Sequence, residues 1–577
     1  MATVAEQFVE VLRQAGVERI YGVVGDSLNP VVDAVRRTKG VEWTQVRNEE
    51  AGAFAASAEA QVTGRLAVCA GSCGPGNTHL LQGLYDAHRS GAPVLALASH
   101  IPSPEIGTGF FQETHPERLF VECSGFCEMV STPEQMPRVL RVAVQHAIGE
   151  GGVAVVVLPG DVAQAEVSRA TGTHDFLTRR GTVRPPADQV AELATALNEA
   201  EKVMLFCGAG VRDAHEEVMS LAARVLAPVG HALRGKEWIQ YDNPYDVGMS
   251  GLLGYGACHE AMHEADLVVL AGTDFPYDDF LPGRRTVQID HDPARLGRRT
   301  PLELAVHGDV GETLRAVLPE VAQKSDRRYL DRMLDRHFKA LDHVVDAYTR
   351  DIEHHVPIHP EYVANLVDEI AEDDAVFTVD TGMCNVWAAR YLTPNGRRRV
   401  IGSFRHGSMA NALPQAIGAQ LADPGRQVVS LSGDGGLGML LGELLTVRMY
   451  DLPVKIVVFN NSSLGMVKLE MLVDGLPDFG TDYTPVDYAA IANAVGVESV
   501  TVRSPSDVRK VLSTAFGTPG PYLVDVVTDP NVLSIPPQIT GEQVRGFVKA
   551  AGKVVLNGGV GRMIDMARAN LRNLPRP

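Results

Sequence analysis

The sequence predicts an α/β protein made of three doubly wound parallel-sheet domains and a short C-terminal tail. Three observations carry this. Short apolar runs recur along the 577 residues, among them RLAVCAG, APVLALASH, VAVVVLPGD, KVMLFCGAG, DLVVLAGTD, TVQIDHD, AVFTVDTG, RQVVSLSGDG, VKIVVFNNS and PYLVDVVTD. They are continuous in Val, Ile and Leu, as expected of parallel strands covered on both faces. Helical patterns separate them, which is the order of a doubly wound sheet.

At about 150 residues per domain, a chain of this length holds three or four domains. Two polar stretches divide it, Thr178 to Gln189 and a charged segment starting at Ser325. The expected units are a first domain over 1–182, a second over 183–335, a third over 336–530 and a tail over 531–577. Val4, Phe8, Val11 and Leu12 recur at helical spacing, so the chain opens on an amphipathic helix. That opening has no signal-peptide pattern, and no run of about 18 apolar residues spans a membrane. The expected location is cytoplasmic. A net charge of −19 argues against a nucleic-acid partner. The seven cysteines are odd in number and thinly spread, which suits buried thiols better than disulfides or a metal cluster.

Chemistry concentrates in the third domain. SGDGG, Ser432 to Gly436, joins an apolar strand to an amphipathic helix. In an open parallel sheet this loop lies at the carboxyl end of a strand, where ligands bind. Its glycines let backbone N–H groups approach a phosphate. A carboxylate at Asp434 facing a diphosphate needs a cation between them, and Mg²⁺ takes oxygen ligands of this kind. A second oxygen ligand is therefore expected one βαβ step on. The next strand ends in Asn460–Asn461, and 461 − 434 = 27 residues.

Gly-Asp-Gly followed at this distance by Asn-Asn resembles the motif of the thiamine diphosphate-dependent enzymes. The resemblance implies that Asp434, Asn461 and the Ser463 carbonyl hold Mg²⁺. It also implies that Gly435 and Gly436 donate to the diphosphate, and that Ser462, Leu464, Gly465, Met466 and Val467 line the cofactor. Other stretches agree. VRNEEAGAFAASAEAQVTGR places Glu49 where the family has the glutamate that activates the pyrimidine ring, a general acid–base role relayed through the cofactor. Asn48 stands where many relatives carry His. GSCGPGN, Gly71 to Asn77, resembles the turn beside the pyrimidine. In GSFRHGSMANALPQAIGA, Gly407 aligns with the aminopyrimidine acceptor, Ser408 with a cofactor neighbour, and Met409 with the residue that props the cofactor bent. The family builds each site from two subunits, which implies at least a homodimer and usually a homotetramer.

In the middle domain, Ser250, Gly251, Leu252 and Leu253, then Thr273, Asp274, Phe275, Pro276 and Tyr277, resemble FAD contacts, and Asp290 suits a ribose hydroxyl. End to end the chain resembles the bacterial pyruvate:quinone oxidoreductases. That family decarboxylates pyruvate on thiamine diphosphate, passes two electrons through FAD to a membrane quinone and releases acetate. Gln112 in FFQETH aligns with a glutamine that approaches the active centre. Met466 replaces an aromatic residue found in the enteric branch.

The tail adds a basic amphipathic segment. Residues 541–577 carry seven Lys/Arg against Glu542 and Asp565, 7 − 2 = +5. Val544, Phe547, Val548 and Ala551 share one helical face, as do Ile564, Ala567, Leu571 and Leu574. Such a segment can lie on an anionic lipid surface, so the expected placement is peripheral, on the inner face of the cell membrane. The alternative for the tail is docking on its own acidic subunit. For the whole chain the alternatives are an acetohydroxyacid synthase-like carboligase, a pyruvate oxidase using oxygen and phosphate, and a non-catalytic relative. The last would have lost Glu49, Asp434 or Asn461, and all three are present.

Overall fold

The computed structural model describes residues 2–167, 175–342, 346–532 and 568–570. All ten apolar runs form strands. They belong to three sheets, each covered by helices on both faces. The opening helix, Val4–Gln14, starts with a capping box: Glu6 N–H donates to Thr3 Oγ1 and Thr3 N–H to Glu6 Oε2.

The first sheet runs, in space, Glu42–Gln45, Arg19–Gly22, Ala67–Gly71, Val94–His100, Val153–Pro159 and Phe126–Met129. All its pairs are parallel. The third runs Arg399–Gly402, Val376–Val379, Val428–Gly433, Lys455–Asn460, Tyr522–Val527 and Glu498–Val502, also all parallel. The central sheet has seven strands and is parallel except for an edge hairpin, Asp246–Met249 with Tyr255–Gly256.

Successive strand residues enter opposite cores. In Val94–His100, Val94, Ala96 and Ala98 pack into one cluster, and Leu95 and Leu97 into the other. In Val203–Cys207, Val203, Leu205 and Cys207 face one way, Met204 and Phe206 the other. This two-sided burial is why the runs read as continuously apolar.

Each sheet has a switch point, where the chain leaves its first strand to one side and later returns to the other. In the first sheet it lies between Arg19–Gly22 and Ala67–Gly71. In the second it lies between Val203–Cys207 and Leu267–Ala271, and in the third between Val376–Val379 and Val428–Gly433. The loops leaving these strands carry Asp434 to Gly436 and Thr273 to Tyr277, and the other candidates follow neighbouring strands.

The charged segment after Ser325 is not a bare linker. It forms the helix Arg328–Ala340, whose Tyr329 and Met333 are buried in the core of the central domain, and Tyr329 Oη donates to Ala261 O at 2.6 Å. The expected boundary at 335 therefore falls inside a helix of that domain, because the apolar stripe on its inner face holds it there. The basic tail over 541–567 and 571–577 lies outside the described residues. Residues 568–570 pack on the third domain. The Ala569 carbonyl accepts from His359 Nε2 at 3.4 Å, and Asn570 Nδ2 donates to Asn531 O at 3.0 Å.

Candidate active site

Glu49 is the first residue of the helix Glu49–Thr63 and its side chain is buried. Asn48 is the N-cap, its side-chain oxygen accepting from Glu50 N–H at 2.9 Å. The approach to Glu49 is held from the third domain. The Glu443 carboxylate accepts N–H groups of Arg47 at 2.9 Å and Asn48 at 3.1 Å, and Thr446 donates to its other oxygen. Burial raises the Glu443 pKa, and Thr446 and the two backbone donors oppose the rise. Glu49 Oε2 lies 3.0 Å from His79 Nδ1. A Cβ on Gly76 would stand 2.9 Å from Glu49 Oε1, so the Gly74–Asn77 turn presses against this carboxylate.

Gln112 is brought to the same turn. Its backbone takes a left-handed φ of 62°. The loop around it is pinned by Glu113, which accepts the N–H groups of Gly107 and Gly109. Cys73 Sγ donates to Gln112 Oε1 at 3.4 Å. Glu49 and Gln112 thus both pack against one turn, at Gly76 and Gly74 respectively.

The third domain holds the other half. Asp434, Asn461 and Ser463 line a single cavity of about 300 Å³ with Gly435, Gly436, Met409 and the segment Leu464–Val467. Burial pushes the Asp434 carboxyl up to about 6 against the Gly435 and Ser462 N–H groups. Asn461 Oδ1 accepts Ser463 N–H at 3.0 Å, which turns the chain so that amide and carbonyl share the cavity wall. Ser463 Oγ donates to Asp482 Oδ1 at 2.8 Å, and buried Lys468 lies 3.7 Å from the same carboxylate. The segment around Asp482 is thereby held against the Asn461–Ser463 turn. The donors here are a carboxylate, an amide and a carbonyl, a hard oxygen set that fits Mg²⁺. Packing admits only glycine at positions 435 and 436, and the Gly435 N–H donates to Asp434 Oδ1 at 2.9 Å. A Cβ on Gly436 would meet Asp380 Oδ2 at 1.8 Å, and one on Gly435 would meet Tyr483 Oη at 2.9 Å and Met409 Cε at 3.3 Å. Met409 therefore reaches over the SGDGG loop. Gly407 takes a φ of 76°, and its N–H donates to Ser403 O, while Ser408 N–H donates to Ser403 Oγ.

Glu470 was absent from the sequence-derived set. It lines the same cavity, and burial followed by the nearby Asp474 charge raises its pKa. The signal was its position, one helical turn after Met466.

The central domain places Ser250, Gly251, Thr273, Phe275 and Asp290 at the carboxyl ends of its strands. Gly208, Gly210 and Gly272 interlock there: a Cβ on Gly208 would lie 2.5 Å from Thr273 Cβ, and one on Gly210 2.6 Å from Gly272 Cα. Burial raises the Asp290 pKa. Leu252 and Tyr277 are exposed, whereas Leu253 packs against the third domain's core. Asp274 is not an open ligand. Its carboxylate is held by Arg298 at 3.0 Å, Arg299 at 3.5 Å and Arg405 at 3.3 Å. Arg234 is buried alongside, its pKa lowered to about 10 by desolvation and by the Arg405 and Arg295 charges. Sequence reasoning missed these arginines because they come from three separate segments. Their crowding leaves excess positive charge at a glycine-floored switch point, which fits the diphosphate of a dinucleotide. Ser250 Oγ is buried without a hydrogen-bond partner among the described residues and offers a further contact.

Comparison with known proteins decides the family. Three family models match in order: the thiamine pyrophosphate enzyme N-terminal TPP binding domain over residues 2–119, the central domain over 190–317 and the C-terminal TPP binding domain over 380–526. A putative thiamine pyrophosphate-containing protein of Bacillus subtilis, YdaP, is 34% identical over 550 residues, 95% of each chain. The chain belongs to the thiamine pyrophosphate enzymes. Family membership supports thiamine diphosphate as the group bound between these halves. A pyruvate oxidase of Lactiplantibacillus plantarum is 31% identical over 533 residues, 90% of this chain and 87% of its own. The large subunit of acetolactate synthase isozyme 2 of Escherichia coli is also 31% identical, over 538 residues, 91% of this chain and 95% of its own. The protein is thus related to both oxidases and carboligases of this family.

Proposed function

We propose that the protein is a pyruvate:quinone oxidoreductase that binds thiamine diphosphate, Mg²⁺ and FAD. The observation that carries this reading is the double duty of the segment 403–409. Gly407 and Met409 form the wall of the thiamine half, while Arg405 of the same segment reaches the Asp274 cluster of the central domain. A flavin held at that cluster would stand next to the thiamine site, as an internal redox step requires. The related pyruvate oxidase supports the same reading.

Bound thiamine diphosphate supplies an electron sink for loss of carbon dioxide, and bound FAD an acceptor for two electrons. The chain's own residues do the rest. Asp434, Asn461 and the Ser463 carbonyl would hold Mg²⁺ against the diphosphate. Glu49 would hold a proton at the pyrimidine ring. Met409 would prop the cofactor, and Gln112 would face the substrate. Leu464, Met466 and Val467 make the pocket apolar beside Glu470, which limits water at the reacting carbon.

Two observations support a dimer. The described lining of the cavity runs from Pro360 to Val532, so it belongs to the third domain, and Glu49 of the same chain stands outside it. Large apolar side chains are exposed beside both halves: Phe111 is 77% exposed next to Gln112, and Phe479 is 89% exposed in the segment around Asp482. A second chain would cover them and bring its Glu49 to this cavity. The basic tail outside residues 568–570, which pack on the third domain, would hold the enzyme on the inner face of the membrane, near its quinone. Among the described residues, no helix is long and apolar enough to cross a membrane.

A carboligase is the second reading, favoured by acetolactate synthase relatives of equal identity. An anaerobic absorbance spectrum of the purified protein with thiamine diphosphate and Mg²⁺, before and after pyruvate, separates the two. The oxidoreductase bleaches its flavin band; the carboligase consumes pyruvate with the flavin oxidised. Adding a quinone, or oxygen with phosphate, then identifies the acceptor.

A further inference from the structure

Asp86 belongs to none of the candidate sets, yet its carboxylate is fully buried where the three domains meet. It lies on the helix Leu81–Ser90 of the first domain. Its Oδ2 accepts from Ser57 Oγ and from Gln415 Nε2, each at 3.2 Å. Ser57 sits about two turns beyond Glu49 on the same helix. Gln415 belongs to the third domain, and its Oε1 accepts from Asn411 Nδ2 at 2.9 Å. Asn411 N–H in turn donates to Asp380 Oδ1 at 3.2 Å, the carboxylate packed behind Gly436. The Ser403 hydroxyl also favours the charged form of Asp86. Ser403 is the residue that accepts the N–H groups of Gly407 and Ser408.

One buried carboxylate therefore connects to both cofactor loops, through Ser403 to the aminopyrimidine wall and through Gln415, Asn411 and Asp380 to the diphosphate wall. The compensating charge is Arg234 of the central domain. Burial pushes the Asp86 pKa up to about 6, with Ser403, Ser57, Arg234 and Gln415 holding it down. A buried charge of this kind is costly, and well-packed apolar residues of similar volume often serve stability as well or better.

We propose that Asp86 is a positioning residue through which the pyrimidine-binding domain sets the Gly407–Met409 and Gly436 loops in cofactor-binding geometry. The inference rests on thiamine diphosphate binding, which the family supplies, and not on pyruvate as substrate.

The test uses full-length Asp86→Asn, Ser403→Ala and the double variant, without pyruvate. Each is titrated with thiamine diphosphate and Mg²⁺ by calorimetry, and the near-ultraviolet circular dichroism of the bound aminopyrimidine is recorded. Loss of one charge-assisted hydrogen bond should weaken binding roughly tenfold in Asp86→Asn and alter the dichroism. Ser403→Ala should act in the same direction, and the double variant should bind no more weakly than Asp86→Asn, because the Ser403 arm acts through Asp86. Unchanged affinity and dichroism in Asp86→Asn would overturn the proposal, as would losses that multiply in the double variant. Should Asp86→Asn fail to fold, Ser403→Ala alone decides: wild-type affinity there refutes the relay. A failed pyruvate assay would leave this outcome untouched.

Discussion

The Asp380 carboxylate fills the space that any side chain on Gly436 would occupy, its Oδ2 only 1.8 Å from the position of a Cβ there. Asp380 is fully buried and accepts N–H groups of Asn411 and Thr381, so it cannot yield cheaply. Gly436→Ala should cost about 1–3 kcal/mol through overpacking. It should also push the diphosphate loop off its place. Calorimetry should show thiamine diphosphate affinity falling by more than the loss of melting temperature accounts for. Wild-type affinity in this variant would show that the loop does not bind the diphosphate.

Metal removal should release the cofactor. A carboxylate at Asp434 and a diphosphate repel each other without a cation between them. Chelation with EDTA should therefore weaken thiamine diphosphate binding, and Mg²⁺ should restore it. In Asp434→Ala, added Mg²⁺ should have little effect on binding. Equal Mg²⁺ dependence in the variant and the wild type would place the metal elsewhere.

Glu49 and Glu443 separate chemistry from scaffolding. Glu49→Gln keeps the size of the side chain and removes the acid–base function proposed for it, so turnover should fall about 10²–10⁴-fold while cofactor affinity changes little. Glu443→Ala leaves the Arg47 and Asn48 N–H groups without their acceptor. It should lower stability by about 1–3 kcal/mol and weaken activity through the displaced helix start. Thermal melting beside steady-state rates distinguishes the two variants.

Arg405 ties the thiamine wall to the Asp274 cluster at 3.3 Å. Arg405→Ala removes a guanidinium from the arginine cluster proposed to hold FAD while leaving Gly407 and Met409 in the chain. The purified variant should carry less flavin per chain, read from its visible absorbance, and added FAD should bind more weakly. Unchanged flavin content would mean that the arginine cluster only braces the domains.

How much of this was legible in the sequence follows from distance along the chain. Central strands such as Val94–His100 and Lys455–Asn460 announce themselves because both faces are buried. The edge strands Glu42–Gln45 and Glu498–Val502 do not, since one side of each is open and their residues are largely polar. Asp434 and Asn461 are readable because one βαβ step fixes their spacing. The Arg234, Arg298 and Arg405 cluster depends on packing between domains, and no local pattern encodes it. Asp274 shows the difference well. The sequence places it at the right strand end, but only the fold reveals three arginines already holding it. Glu470 could have been found from helical spacing alone.

Asp86 carries the pH dependence with the clearest sign. Its carboxyl is raised from 3.8 to about 6 by burial, so the folded state binds a proton more tightly than the unfolded chain does. Its favourable contribution is full below pH 4 and is lost as pH rises through about 6. The shift corresponds to about 3 kcal/mol between those limits. Asp86→Asn does not titrate and escapes this loss. Relative to wild type, the cofactor-free variant should therefore gain stability as pH rises from 4 to 7, even as it loses affinity for thiamine diphosphate. Denaturant unfolding of both proteins across that range provides the measurement. For a residue serving only the fold, cofactor affinity would follow stability. A stability difference that stays flat with pH would mean that the carboxylate is not desolvated in the folded protein.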